Sequence, residues 1–152
     1  MCGRRDRHGE PVIVSACLLG LRTRFDGAHC RREEVLAACT DWVLLPVCPE
    51  QLGGLPTPRP RAEIESGTAR DVLSGAARIV NEHGVDVTDH FTRGAQAVAQ
   101  LAELLGVRRA ILKDGSPSCG VRRIERAGRD VPGEGVTAAL LRRHGVELRA
   151  VE

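Results

Sequence analysis

Three of the six cysteines in this 152-residue chain occupy equivalent positions, each shortly after an apolar run. Cys17 follows the run in VSACLLG, Cys48 ends LLPVCPE, and Cys119 comes a few residues after the run in ILKDGSPSCG. A cysteine can be a nucleophile, half of a disulfide, a metal ligand or a small core hydrophobe. A disulfide leaves one of the three over, and a single nucleophile leaves two unexplained. A shared metal centre accounts for all three, and we expect one here.

The type of metal follows from the spacing of these cysteines. Structural zinc sites use four protein ligands, usually with Cys-x-x-Cys pairs, and the chain has no such pair. Three thiolates from distant segments suit a cubane iron–sulfur cluster in which one iron lacks a protein ligand. An open coordination position is typical of catalysis. Nothing in the sequence connects Cys2, Cys30 or Cys39 with this place, and Cys39 is expected to be a core residue of a helix.

The elements that must position these cysteines alternate between strands and helices. Apolar runs predict strands at 11–16, 42–47, 108–113 and 146–151, and helical spacing predicts helices within 31–42, 86–107 and 133–145. This alternation indicates an α/β domain of three layers with a mainly parallel sheet, Rossmann-like or flavodoxin-like. Loops that leave the carboxyl ends of parallel strands converge on one edge. With strands about 4.8 Å apart, the three thiols can meet within roughly 10 Å.

The remaining segments carry less information. Residues 1–10 are expected to form a disordered arm before a single domain at 11–152. Four prolines fall within twelve residues from Pro49 onward, which predicts an extended loop without any regular element. Between 63 and 87 only short β-like pieces are predicted, and Arg78 to Val80 is the clearest.

Composition excludes several classes of function. One Trp, two Phe and no Tyr leave few rings for base stacking, and the single Lys among 22 basic residues points to genomic base composition. No apolar run reaches the roughly 20 residues of a membrane span, and the polar start lacks the apolar core of a signal peptide. We therefore expect a cytoplasmic protein without membrane or nucleic-acid partners. The oligomeric state is left open.

The motifs resemble those of the thiouracil desulfurase family. VSACLLG, RFDG, PVCPEQLGGLPTPRP, AILKDGSPSCG and GEGVTAALL fall in the order and spacing of that family, from about Pro11 to the C-terminus. The resemblance implies a [4Fe-4S] cluster on Cys17, Cys48 and Cys119. It also implies hydrolytic removal of sulfur from 2-thiouracil-like bases with release of hydrogen sulfide. The segment 121–133 departs from the family's pattern.

The same resemblance assigns roles to individual residues. It matches Glu50, in CPE, with an acidic catalytic residue that acts as general base, and Ser116, in SPSC, with a catalytic serine. Four further residues are expected to contact the substrate: Arg24, Asp26, Lys113 and Ser118. The expected substrate is a small thiolated nucleobase or nucleoside.

Two other functions fit parts of the pattern. A cluster-binding redox or sensor protein without a substrate would need a fourth ligand, and Cys30 and Cys39 are the candidates. A plain nucleotide- or small-molecule-binding α/β module would carry its thiols incidentally. That third interpretation is weakened because no Gly-rich phosphate motif directly follows a strand.

Overall fold

The computed structural model describes residues 9–152, which contain eight strands and five helices. The strands are β1 (Glu10–Ser15), β2 (Trp42–Val47), β3 (Ala62–Ile64), β4 (Ile79–Asn81), β5 (Arg109–Lys113), β6 (Arg123–Arg126), β7 (Arg129–Pro132) and β8 (Glu147–Val151). The helices are α1 (Glu33–Ala38), α2 (Pro49–Leu52), α3 (Ala69–Ser74), α4 (Thr88–Leu105) and α5 (Val136–Arg143), with a 3₁₀ turn at Ala16–Leu19. Over this range, every helix is too short or too polar to cross a bilayer.

The central sheet has four parallel strands in the order β2-β1-β5-β8. Strand β1 pairs with β2 on one side, where Val12 lies opposite Leu44, and with β5 on the other, where Val12 lies opposite Arg109. After β1 the chain first adds β2 on one side of it, and later adds β5 and β8 on the other side. Such a reversal is the switch point at which doubly wound sheets bind ligands.

Helices cover both faces of the sheet because β1 alternates between two apolar layers. Val12 and Val14 pack with Val35 of α1 on one face. Ile13 packs with Val98 of α4 on the other face. All five side chains are fully buried. The mainly parallel, three-layer α/β arrangement predicted from the sequence is confirmed.

A second apolar layer lies between α4, α5 and the outer elements. Strands β3 and β4 form an antiparallel pair connected through α3, and β6 and β7 form a second pair joined by a tight turn. These two strand pairs are termed the outer hairpins, and α3 packs beside them. Their apolar side chains gather around Phe91 of α4 and include Ile64, Val72 and Ile124. This layer holds both hairpins over the carboxyl edge of the central sheet, where residues from each contribute to a cavity.

Helix α2 is pressed against α4 at two glycines. A Cβ atom at Gly53 would overlap the carbonyl oxygen of His90, and one at Gly94 would overlap the carbonyl oxygen of Pro49. The His90 ring also contacts Gly53, with Nδ1 at 2.8 Å from the carbonyl oxygen. Because neither glycine has a side chain, the short α2 can pack closely against the long α4.

The structure corrects several predictions for the connecting segments. The expectation of no regular element from Pro49 onward is wrong, because Pro49 is the first residue of α2, where proline's fixed φ favours a helix. Helix α3 and the β6–β7 hairpin were not predicted. The sheet begins at Glu10, one residue before the predicted strand, and the N–H of Gly9 donates to the carbonyl oxygen of Asp41 at 3.1 Å. The remaining residues of the predicted arm, 1–8, lie outside the described residues.

Candidate metal centre

A cavity of about 450 Å³ opens at the carboxyl edge of the central sheet, next to the switch point between β1 and β5. The segments that follow β1, β2 and β5 bring Cys17, Cys48 and Cys119 to its lining. Each thiol is free of any disulfide. The structure thus brings the three predicted ligands to one cavity from three separate parts of the chain.

The backbone fixes each of these cysteines soon after its strand. Cys17 lies in the 3₁₀ turn that follows β1, and Gly20 closes this turn with a φ of 94° that a larger residue would adopt only under strain. Cys48 occupies the position before the first turn of α2. Its thiol donates a hydrogen bond to the carbonyl oxygen of Thr23 at 3.6 Å. The positions of the first two thiols therefore follow from local turn geometry.

Cys119 lies in a loop organised by Asp114. The buried Oδ1 of Asp114 accepts hydrogen bonds from four backbone N–H groups, those of Gly115, Val121, Arg122 and Arg123, at 2.9–3.2 Å. Although burial opposes the effect, these bonds lower the pKa of Asp114. Inside the loop, Ser116 Oγ accepts from the N–H groups of Ser118 and Cys119, both at 3.0 Å. The carboxylate thus holds the third cysteine in place through the backbone.

Burial keeps the cavity thiols protonated in the absence of a metal. It raises the pKa of Cys119 to about 12, although hydrogen bonds from Ser15 and Ser118 act in the opposite direction. Burial also raises the pKa of Cys48. A metal that binds these thiols must therefore displace protons, as metals do at cysteine sites.

Cys30 lies beside Cys17, although the sequence gave no reason to connect it with the site. Its N–H donates to the carbonyl oxygen of Cys17 at 3.0 Å. The neighbouring Cys17 thiol lowers the pKa of Cys30 to about 6 against the effect of burial, and the charges of Lys113 and Arg24 add to the lowering. The pKa of Cys17 is raised accordingly. A fourth cysteine thus adjoins the three predicted ligands.

Glu50 lies in the first turn of α2 and lines the cavity. Burial raises the pKa of its carboxyl group, while the charge of Arg59 has the opposite effect. Arg59 Nε lies 3.1 Å from Glu50 Oε1, and the Arg59 side chain is only 3% exposed. Glu50 is therefore a largely buried carboxylate with a single paired cation.

Arg59 is the main site residue that sequence reasoning missed. Its guanidinium donates to the carbonyl oxygens of Thr23 and Pro56, at 2.9 and 3.2 Å, and lies 3.8 Å from Cys48 Sγ. It therefore connects a predicted ligand with the predicted base. Its one signal in the sequence is an arginine within the proline-rich PTPRP, where a surface loop was expected.

The four predicted substrate contacts divide into two groups. Arg24 and Lys113 line the cavity. Arg24 stacks over the Phe25 ring at 5.7 Å, and its Nε forms an ion pair with Asp26 Oδ1 at 3.4 Å. Asp26 and Ser118 do not line the cavity. Asp26 is exposed and accepts from the N–H of Ala28, whereas Ser118 is fully buried and hydrogen-bonds Thr137 at 3.0 Å.

The side chains of the cavity can be compared with the ligands of a single metal ion and with those of an iron–sulfur cluster. Within residues 9–152, no three His, Cys, Asp or Glu side chains lie close enough to hold a single metal ion. The thiolates of a cubane cluster each bind a different iron and so stand farther apart than the ligands of one ion. Arg24, Arg59 and Lys113 bring positive charge to the same cavity. Three soft thiol donors that line one cavity with cations nearby suit a cluster better than structural zinc, which uses four protein ligands.

The fold and this cavity together define a doubly wound α/β protein whose ligand site at the switch point is built from cysteines. Comparison with known families agrees with this class. The chain belongs to the 2-thiouracil desulfurase family, whose model matches residues 12–152. The family resemblance predicted from the motifs is confirmed.

Two relatives extend the comparison. The chain is 41% identical over 137 residues to the uncharacterized protein YbbK of Bacillus subtilis (strain 168), covering 88% of this chain and 91% of that protein. It is also similar to the solved structure of TudS, a [4Fe-4S]-dependent thiouracil desulfidase, at 44% identity and a TM-score of 0.79. That match covers 93% of this chain and 90% of the TudS chain.

Proposed function

We propose that this protein is a [4Fe-4S]-dependent desulfidase that hydrolyses a thiolated pyrimidine base, such as 2-thiouracil, to the oxo base and hydrogen sulfide. The observation that carries the proposal is that Cys17, Cys48 and Cys119 line one cavity together with Glu50. Membership in the 2-thiouracil desulfurase family and similarity to a [4Fe-4S]-dependent thiouracil desulfidase support it.

In this proposal Cys17, Cys48 and Cys119 hold the cluster and leave one iron without a protein ligand. When bound, the cluster supplies a soft Lewis acid for the thione sulfur and for the departing sulfide. Water replaces sulfur at the ring carbon, so a C=S bond becomes C=O, the sulfur leaves as hydrogen sulfide, and no net electron transfer occurs. The substrate enters from the cavity.

Glu50 acts as general base on the attacking water. Its raised pKa suits a group that takes up a proton near neutral pH. Arg59 contacts Oε1 of Glu50 and so fixes the plane of the carboxylate, while Oε2 is not part of this ion pair. The protein therefore holds the base in one orientation before the substrate arrives, which avoids reorganisation during the reaction.

Ser116 and the two cations orient the ring of the substrate. Ser116 Oγ accepts two backbone hydrogen bonds, which leaves its own hydrogen to donate to a ring heteroatom in the cavity. Arg24 and Lys113 stabilise negative charge that develops on the ring as water adds. Arg24 lines the cavity and is held there by its ion pair with Asp26, in which Nε lies 3.4 Å from Oδ1.

The decisive experiment follows both products of the reaction. Protein reconstituted with iron and sulfide without oxygen is incubated with 2-thiouracil in ¹⁸O-labelled water. Equal amounts of sulfide and uracil are expected, with the label in the uracil carbonyl, because water is the proposed nucleophile. Unlabelled uracil would contradict hydrolysis, and an intact cluster without sulfide release would contradict the substrate.

One observation favours the alternative of a redox or sensor protein without a substrate. Such a protein needs a fourth ligand, and Cys30 lies against Cys17. The other candidate, Cys39, is 2% exposed and packs in the core beside Val35. The Cys30→Ser variant separates the two functions, since only the sensor would lose its cluster with this substitution.

A further inference from the structure

We propose that Cys17 and Cys30 form a reversible disulfide in the metal-free protein, which makes Cys30 a redox-modification site. The disulfide would withdraw Cys17 from metal binding until a thiol reductant restores it. Formation of the bond depends on the two thiols alone. Its effect on cluster loading rests on the proposed function.

The backbone already holds the two cysteines at disulfide distance. The N–H of Cys30 donates to the carbonyl oxygen of Cys17 at 3.0 Å, and the N–H of Arg32 donates to that of Leu18 at 2.9 Å. The two segments therefore run side by side. Residues joined by such a hydrogen bond have Cα atoms about 5–6 Å apart, within the roughly 4.4–6.8 Å that disulfides span. The bond therefore needs no rearrangement of these two segments.

The other cysteines of residues 9–152 are poorer partners for Cys17. Cys48 and Cys119 make no backbone hydrogen bond with Cys17, whereas Cys30 does. Cys39 is enclosed in the core between α1 and the sheet. The geometry therefore selects one pair among the possible combinations.

A small disulfide such as oxidised glutathione supplies the electron balance. The half-buried Cys30 attacks one sulfur of this oxidant and releases one glutathione thiolate. Cys17 then attacks the Cys30 sulfur of the mixed disulfide and releases the second thiolate. Two protein thiols are oxidised, one glutathione disulfide is reduced to two thiols, and the protons go to the leaving thiolates.

This bond would protect the site as well as close it. Metal-free thiols that stay reduced can be oxidised as far as sulfinic acid, which thiol reductants do not reverse, whereas a disulfide is reversible. Cluster loading would then require a reduced thiol pool in addition to iron and sulfide. Cys30 would thus act only when the cluster is absent.

The test uses the full-length metal-free protein, treated with oxidised glutathione and digested by trypsin without reduction. Cleavage after arginine places Cys17 in peptide 8–22 and Cys30 in peptide 25–31. The expected result is one cross-linked pair of these peptides, two hydrogens lighter than their sum, which separates on addition of dithiothreitol. Pairing of Cys17 with Cys48 or Cys119, or glutathione retained on Cys30, would overturn the proposal.

Two variants and a second measurement complete the experiment. Cys39→Ser, the matched control, is expected to keep the cross-link, and Cys30→Ser to lose it. Oxidised wild-type protein should lose iron binding during reconstitution and recover it with dithiothreitol. A cross-link without this loss would refute the role in loading. A reduced protein that never binds iron would instead overturn the proposed function and leave the disulfide itself standing.

Discussion

The two sides of the cavity are built in different ways. On the side of the central sheet, turns after β1, β2 and β5 fix the three cysteines, and buried groups such as Asp114 and Arg59 hold these turns. On the opposite side, the outer hairpins present charged side chains in exposed pairs, such as Arg61 with Glu125 at 2.8 Å. Exposed pairs contribute little to stability. We therefore expect the side of the central sheet to carry the reaction chemistry and the side of the hairpins to determine which substrate fits.

The largest effect is expected from removing a thiol on the sheet side. The Cys119→Ser variant should lose the broad absorbance near about 400 nm of an iron–sulfur cluster, together with its bound iron and all activity. Cys39→Ser is the matched control, because Cys39 is a buried cysteine in the core on the other face of the sheet. If the Cys119→Ser protein kept its full iron content, Cys119 would not be a metal ligand, and the proposed difference between the two sides of the cavity would be wrong.

Loss of the base should be severe without affecting the cluster. We expect Glu50→Gln to lower kcat by about 10²–10⁴-fold, the usual contribution of general base catalysis, with an unchanged absorption spectrum. The measurement is the initial rate of sulfide release at saturating substrate. If the rate fell less than tenfold, Glu50 would be a structural residue of α2 and not the base.

Arg59→Met should shift the pH dependence of the reaction. Burial raises the pKa of Glu50 and Arg59 opposes this rise, so removing the cation should raise the pKa further. A base must be ionised, and the acidic limb of the kcat/KM profile should therefore move to higher pH. Breaking this buried pair should also cost about 3–5 kcal/mol of stability. An unmoved acidic limb, in protein shown by its circular dichroism to be folded, would contradict the coupling.

The smallest effect is expected on the side of the hairpins. Arg61→Ala removes an exposed guanidinium that pairs with Glu125 and stacks over Phe25 at 4.8 Å. The free energy of unfolding should change by no more than about 1 kcal/mol, with iron content unaltered. Urea denaturation and iron analysis measure the two quantities. A loss of iron in this variant would show that the hairpins help to hold the metal centre.

The parts of the molecule that were predictable are those with local signals. The four main strands follow from apolar runs, and the positions of Cys17, Cys48 and Cys119 follow from where those runs end. Helix α3 also carried a local signal, since Thr68 and Asp71 form a capping box in the order that the motif requires. The start of α3 is therefore predictable from this spacing.

The parts that were missed depend on contacts between distant segments. Cys30 reaches Cys17 because the loop after β1 folds back along its own start, which composition does not show. Arg59 is buried because the proline-rich loop returns over Glu50 and Thr23. A charged residue in such a loop resembles any surface arginine in sequence. Both side chains acquire their surroundings only in the folded chain.

The contact between Gly53 and Gly94 restricts how this protein can vary over time. Because each backbone occupies the space of the other's missing side chain, even an added methyl group at position 94 would displace α2, and Glu50 with it, from its position beside the ligand site. A mutation in the middle of a long helix would then silence the enzyme while the cavity kept its complete set of side chains. Laboratory selection for new substrates is therefore better aimed at the hairpins, where changes leave this helix contact intact.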